Sequence, residues 1–424
     1  MTQRALPALA LSFFLAAPMP ALAQETAVEG LRSAARAAPR DYDAQVAFGR
    51  ALLEAGRYRE AHAQLQRASR LRRGDAAALY EVARVAFAEH DQRRARSQCR
   101  AVSRAAGEGV LGRVCEARAF LAWNRSARAF EELEAALRQA PNDFEALLAL
   151  GDAHRLRAAV TEAEDAYRRA SAADARSAEP HLGLGRLYAQ AGRTADALAA
   201  LRRAHELAPN DPDVDYELGR LSSGQAALTH LREAAQNRPS WALAHEALGE
   251  ALLDAGHHAE AVTALRRALE LDSHRTSARS ALGRALMAAG QMDEAEEAIR
   301  AAIEAVPNDA SAVTALAELF SRTDRTEEAY EQFRHAANLN PRDPVPLVAA
   351  ARLALSQQRP VLATGFLQRV LANTPNHAPA LALMGDIARS RRQTSEARQL
   401  YLRALAGEGT IDRARIERAL RELR

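Results

Sequence analysis

The chain has 424 residues, of which 48% are hydrophobic but only 5% aromatic, and its net charge is +3. That is enough for a large buried surface, yet too few bulky groups to fill one globular core; a solenoid, in which each unit buries its apolar face only against its neighbours, suits the balance. All 57 basic side chains are arginine and 54 acidic ones nearly cancel them, so the charge excludes a nucleic-acid-binding signature and no nucleic-acid partner is expected.

Residues 1–23 carry one positive charge at Arg4, an apolar run from about Ala8 to Ala17, and the small-residue site Ala21-Leu22-Ala23. This is the pattern of a secretory signal peptide cleaved after Ala23. An uncleaved anchor is the competing reading; Pro7, Pro18 and Pro20 oppose it, as does an apolar run shorter than the roughly 20 residues a spanning helix needs. No cysteine sits at the site for lipid attachment, and no other stretch could cross a membrane. The processed protein is therefore expected in a periplasm, with secretion as the alternative, and not spanning a membrane.

After the leader a single unit recurs, seen most clearly at residues 242–275. Numbered from Ala242 and stepped at 34 residues, with one shortened copy, position 20 is alanine in every copy from Ala27 to Ala397. Position 27 is Ala34, Ala68, Val102, Ala136, Ala170, Ala204, Ala234, Ala268, Ala302, Ala336, Val370 and Ala404; position 8 is always Gly or Ala, from Gly49 to Gly385. Helices that cross closely need side chains of this size at the contact. Other apolar residues fall at helical spacing, as in Leu248, Leu252, Leu265 and Leu269. Each unit thus reads as two helices separated by a turn such as Ala255-Gly256, with proline at position 32 ending the second and Asn142-Asp143 or Asn308-Asp309 capping the next.

In chain order, 24–41 is an N-terminal capping half-repeat. Residues 42–241 hold six repeats, beginning at Tyr42, Ala76, Val110, Phe144, Ala178 and Pro212, and form an N-terminal arm. Residues 242–411 hold five more, beginning at Ala242, Thr276, Ala310, Pro344 and Ala378, and 412–424 is a charged C-terminal capping helix. The repeat from Pro212 is short: Gly219 occupies position 8 but Ala227 already occupies position 20, so Leu221-Ser222-Ser223-Gly224 turns the chain one helical turn early. It is either a bend between arms or a tolerated deletion. Cys99 and Cys115, the only cysteines, lie on neighbouring helices of two repeats and are either a disulfide or two buried thiols.

The unit resembles the tetratricopeptide repeat, a helix-turn-helix of 34 residues with small residues at positions 8, 20 and 27 and proline at 32. The resemblance implies an all-α, right-handed superhelical solenoid of about eleven repeats with terminal capping helices. It departs from the family at position 4, where tryptophan is usual and this chain has Gln45, Leu147, His181, His245 or Arg279. The repeats from Ala76 and Val110 match least, with Glu116 in place of a leucine.

In that family the first helices line a concave groove, and positions 2, 5, 9 and 12 face a bound peptide. Carried over, position 9 is Arg50, Arg84, Arg118, Asp152, Arg186 and Arg220 in the N-terminal arm, with Tyr80 and Tyr216 one turn away at position 5. These residues form an arginine ladder for an acidic peptide or anionic polysaccharide, or else a solvated face whose charges pair locally. The chaperone clamp of lysine and asparagine found in some relatives is absent.

No phosphate loop, zinc-ligand spacing or nucleophile elbow occurs, and His257-His258 lacks a third ligand. No catalytic residue, metal or cofactor is expected. The reading is a non-catalytic periplasmic scaffold for other proteins or peptides, in secretion, exopolysaccharide export or outer-membrane biogenesis. The alternatives are a binding protein for an anionic polymer and an enzyme subunit with cryptic hydrolase activity, for which no residue stands out.

Overall fold

The computed structural model describes residues 21–423 except His90. The expected leader up to residue 20 and the side chain of Ala27 lie outside the described residues. Among the described residues the chain forms twenty-four helices. Helix α1 (Ala21–Ala37) is followed by the pairs α2 (Tyr42–Glu54) and α3 (Tyr58–Leu71), α4 (Ala76–Ala88) and α5 (Gln92–Ala106), and α6 (Val110–Ala122) and α7 (Ser126–Gln139). Next come α8 (Phe144–Leu156) and α9 (Val160–Ala173), α10 (Glu179–Gln190) and α11 (Thr194–Leu207), and α12 (Pro212–Leu221) and α13 (Gly224–Asn237). Then follow α14 (Ala242–Asp254) and α15 (His258–Leu271), α16 (Thr276–Ala288) and α17 (Met292–Ala305), and α18 (Ala310–Arg322) and α19 (Thr326–Leu339). The last pairs are α20 (Val345–Ser356) with α21 (Pro360–Asn373) and α22 (Ala378–Ser390) with α23 (Thr394–Ala406), before α24 (Arg413–Glu422). This is an all-α solenoid of stacked helix pairs.

The small residues sit where the helices touch. Every alanine at position 20 from Ala61 to Ala397 is buried, and so is every position 27 residue from Ala68 to Ala404. The group they make room for comes from position 24 of the second helix. A Cβ added to Gly151 would lie 2.5 Å from the Tyr167 ring, and one added to Gly183, in the next repeat, would lie equally close to it. Leu65 stands against Gly49, Leu201 against Gly185 and Tyr401 against Gly385 in the same way. Interiors packed this closely have no slack for an extra methyl.

Nine of the eleven first helices begin at the expected residue, and α10 and α20 begin one residue later, at Glu179 and Val345. Asp41, Asp75, Asp143, Asp211 and Asp309 each accept a backbone N–H of the first turn, satisfying donors that would otherwise be unpaired. The interhelix turns need a left-handed residue at position 15. Glycine supplies it at Gly56, Gly192, Gly256 and Gly290, but Asn124, Ala158, Asp324, Gln358 and Arg392 adopt the same positive φ without being glycine. The expected glycine turn is thus only part of the pattern.

Contacts divide the chain into two compact units, one ending at Leu248 and the other starting at Gly249, a boundary inside α14. In the first unit α1 departs from the expected register: Ala34 is exposed, and Val28 and Ala35 are buried in its place against Val46, Phe48 and Leu52. The apolar stripe of α1 thus meets α2 and α3 through Val28 and Ala35. Cys99 and Cys115 are bonded to each other. Cys99 holds position 24 and Cys115 position 6 of the next repeat, the places Tyr167 and Gly183 take two repeats on, and the bond joins the two repeats that match the family least. Closing so short a loop stabilises by about 3 kcal/mol. In the second unit Ile416 and Ala419 bury α24 against the last repeat, and Arg415 reaches both oxygens of Asp386 at 3.0 Å.

Gly151→Ala should destabilise the protein by about 1–3 kcal/mol in denaturant unfolding, since overpacking outweighs the helix preference of alanine. Gly365→Ala on α21, where nothing lies within 4 Å of the new methyl, should stabilise it by about 0.5–1 kcal/mol.

Candidate functional site

First helices face the inside of each unit's curve. In the first unit α4 touches α6, α6 touches α8, α8 touches α10 and α10 touches α12; in the second the same holds for α16, α18, α20 and α22. Position 9 therefore lies on the inner face. In the first unit that face is filled by its own side chains. Arg50 pairs with Glu81, and Arg118 donates to Glu145 Oε2 at 2.7 Å. Arg186 reaches Glu217 at 2.9 Å and Asp213 at 3.2 Å, and Arg220 reaches Glu217 at 3.4 Å. Arg84 lies 3.4 Å from Glu81 and 4.0 Å from Glu179, three repeats away in sequence. Tyr80 is buried and donates to Glu145 Oε2 across the intervening repeat at 3.1 Å. Asp152 accepts from Tyr167 Oη at 2.8 Å. Tyr216 packs against Trp241, ring centroids 4.8 Å apart, and the Arg220 guanidinium lies 5.9 Å from the Tyr216 ring centroid.

The eight residues expected to line an arginine ladder are thus brought to one face, and the arginines among them all have carboxylate partners. The curve closes tightly enough for Gly56, with φ +69°, to pack on Arg238 at the end of α13, where a Cβ would come within 2.8 Å of Arg238 Cγ. Burial opposes the charge of Arg118, which is only 22% exposed, but Tyr80 and Glu145 hold its pKa above the ordinary value. Burial raises Glu179 against the pull of Arg118 and Arg84. At the α12 end, burial and the adjacent Asp213 charge push Asp211 up to about 6; Asp213 is itself held low, burial notwithstanding, by Arg238 and Arg186. A polyanion entering here would have to displace these carboxylates.

The second unit is different. Between α18, α20 and α22 its inner face opens into a cavity of about 580 Å³. Val345, 54% exposed, and Val348 form its apolar wall, with Phe333 and Leu353 behind. Arg322 and Arg352 border it, and Arg352 makes no ion pair among the described residues. Glu318 stands opposite, its pKa raised by burial against Arg322 and Arg284. Ser356 donates to Leu353 O at 2.8 Å, and His377 Nδ1 accepts the Ala380 N–H at 3.3 Å, so the two groups that could suggest hydrolysis are engaged in holding their own helices. The partners of the first unit's arginines lie on the following repeats, so the arginines alone do not distinguish an open ladder from a face whose charges pair locally.

A third arrangement was not foreseen. His205 of α11, Asp215 of α12 and His230 of α13 bring one ligating atom each to within 4.8 Å of one another. The absence of zinc-type spacing in the sequence hid it, since the residues are 10 and 15 apart and meet only through the stacking. His257 and His258 are not part of it.

The tetratricopeptide-repeat pattern matches residues 46–109, 116–178 and 213–276 in one form, 178–221 in a second and 252–319 in a third, well over half of the chain together. The chain belongs to the tetratricopeptide-repeat family. Comparison with curated proteins finds no match. Among solved structures, yeast Tom70 is similar at 13% identity and TM-score 0.50 over 91% of this chain and 96% of its own. Pseudomonas aeruginosa PilF matches at 20% identity and TM-score 0.40 over 49% of this chain and 97% of its own. The Cut9–Hcn1 tetramer matches at 16% identity and TM-score 0.41 over 95% of this chain and 87% of its own. The likeness to Tom70, at 13% identity, is of fold alone. No described helix of this tetratricopeptide-repeat protein is long and apolar enough to cross a membrane.

Arg118→Met, which strands Glu145 in a half-closed interior, should cost about 2–4 kcal/mol, whereas Arg203→Ala, at an exposed pair with Glu206, should cost less than about 1 kcal/mol. Asp211 keeps its proton in the folded state to about pH 6, against 3.8 for the ordinary carboxyl, so the native state loses stability through this group as pH rises across that window. Asp211→Asn preserves the cap without the charge; its stability advantage over the parent, measured by urea unfolding, should grow from pH 4 to pH 6.

Proposed function

We propose that this chain is a non-catalytic, exported scaffold that holds an extended segment of a partner protein on the inner face of its second unit. The observation that carries the proposal is the open cavity between α18, α20 and α22, where exposed Val345 stands beside an arginine without an ion-pair partner. An apolar side chain of the partner would bury against Val345 and Val348, and an adjacent carboxylate would meet the guanidinium of Arg352 in the bidentate geometry that arginine favours. Tetratricopeptide solenoids as a class support the protein-binding reading. Export rests on the leader-like residues 1–23, and the setting, a cell-envelope assembly for secretion, exopolysaccharide export or outer-membrane biogenesis, rests on that leader together with the family. The polysaccharide reading is the weaker one, because the arginines it needs are already paired.

A photo-crosslinking residue placed at Val345 in intact cells should yield a protein adduct that one placed at Gly365 does not, and Arg352→Glu should reduce the adduct several-fold. The purified protein should begin at Gln24. Adducts to glycan alone, or equal protein labelling from both positions, would contradict the assignment.

A further inference from the structure

Positions 28, 4 and 23 of successive helices interlock in the stack, and polar side chains placed there meet one another, as Arg113 at position 4 meets Glu132 at position 23 at 3.1 Å. In the first repeat Gln45 at position 4 donates to Ala35 O at 2.6 Å and accepts from Gln64 at position 23 at 2.5 Å. Ser171 at position 28 of the fourth repeat meets His181 at position 4 of the fifth at 3.3 Å. Where the fifth repeat meets the shortened one, the same three positions carry His205 of the fifth and Asp215 and His230 of the shortened repeat.

Asp215 is completely buried, and its Oδ2 has no hydrogen-bond partner. Its Oδ1 lies 3.2 Å from His205 Nδ1 and 3.2 Å from His230 Nδ1. The first of these contacts is out of line for a hydrogen bond, which leaves His205 Nδ1 without one as well. A carboxylate removed from water with one oxygen unsatisfied is costly unless a cation completes it. One turn along α13 from His230, Glu233 Oε2 lies 3.5 Å from His230 Nδ1. Ligand atoms about 2.0–2.1 Å from a tetrahedral ion stand roughly 3.3–3.4 Å from each other; the two spacings to Asp215 Oδ1 are close to that, and the three ligand atoms, all within 4.8 Å of one another, would draw together around an ion.

We propose that His205, Asp215 and His230, with Glu233 or water as the fourth ligand, bind a divalent transition metal of the zinc class. Two imidazoles with carboxylate oxygen select such ions over calcium and magnesium, which take oxygen ligands almost alone. The ion would tie α11 to α12 and α13, where α12 is cut short at Leu221 and the turn runs through Ser222 and Ser223. It would join the two repeats that meet there, as the disulfide joins two others. Both imidazole rings are partly exposed, which provides a route for entry.

The full chain, stripped with EDTA and dialysed, is titrated with zinc chloride by calorimetry and with cobalt(II) by visible absorption. The expected result is one metal ion per chain, the intense absorption of four-coordinate cobalt, and no response to calcium or magnesium. His205→Gln combined with His230→Gln should weaken binding by more than about 100-fold, beyond the 10–100-fold that losing an outer hydrogen bond costs; His257→Gln combined with His258→Gln should leave it unchanged. Asp215→Asn, nearly identical in shape, serves if the double variant does not fold. Unchanged zinc affinity in Asp215→Asn, or a parent chain that shows neither saturable zinc binding nor the cobalt band, would overturn the proposal.

Discussion

The structure depends on one contact: a large side chain at position 24 seated between the backbone of its own first helix and that of the next repeat. Tyr167 between Gly151 and Gly183 shows it most plainly. Because the contact reaches only the adjacent repeat, stability is assembled from neighbour to neighbour, and no single central core is required. The disulfide between Cys99 and Cys115 is the covalent version of the same contact, placed where the apolar pattern is poorest. Where position 24 is tyrosine, the hydroxyl gains a second role: Tyr167 donates to Asp152 and Tyr401 to Asp386 at 2.7 Å, so core packing also orients a carboxylate on the inner face.

The same stacking produces two different inner faces. In the first unit the curve brings Tyr80 and Glu145 together across a repeat, and the charges satisfy one another. Such a face resists partners, since a ligand has to replace partly buried ion pairs with contacts at least as good. In the second unit Val345, Val348 and Arg352 leave apolar surface and a cation exposed together. That combination marks a surface that gains by being covered.

Much of the fold was legible because alanine at positions 20 and 27 and glycine or alanine at 8 recur for a steric reason, and from Gly49 onward each is buried. Ala34 misled because α1 packs on Val46, Phe48 and Leu52 through Val28 and Ala35, which turns Ala34 to the exposed side. The inner face was harder to read. Its arginines announce themselves singly, whereas their partners lie 31 residues on, as with Arg50 and Glu81, or 27, as with Arg118 and Glu145. Once the repeat is known these offsets are readable, since they place position 9 beside positions 6 and 2 of the next copy. The His205, Asp215 and His230 cluster demands one more step, that positions 28, 4 and 23 meet in space, which periodicity alone does not state.

Neighbour-only packing is tested most directly by hydrogen exchange on Ala163→Leu, a substitution at a fully buried position 20. The added bulk should strip protection from α8, α9 and the helices packed directly on them while leaving the second unit at its parental exchange rates. Protection lost evenly along the whole chain would mean one cooperative core, and would contradict the contact on which everything else here is built.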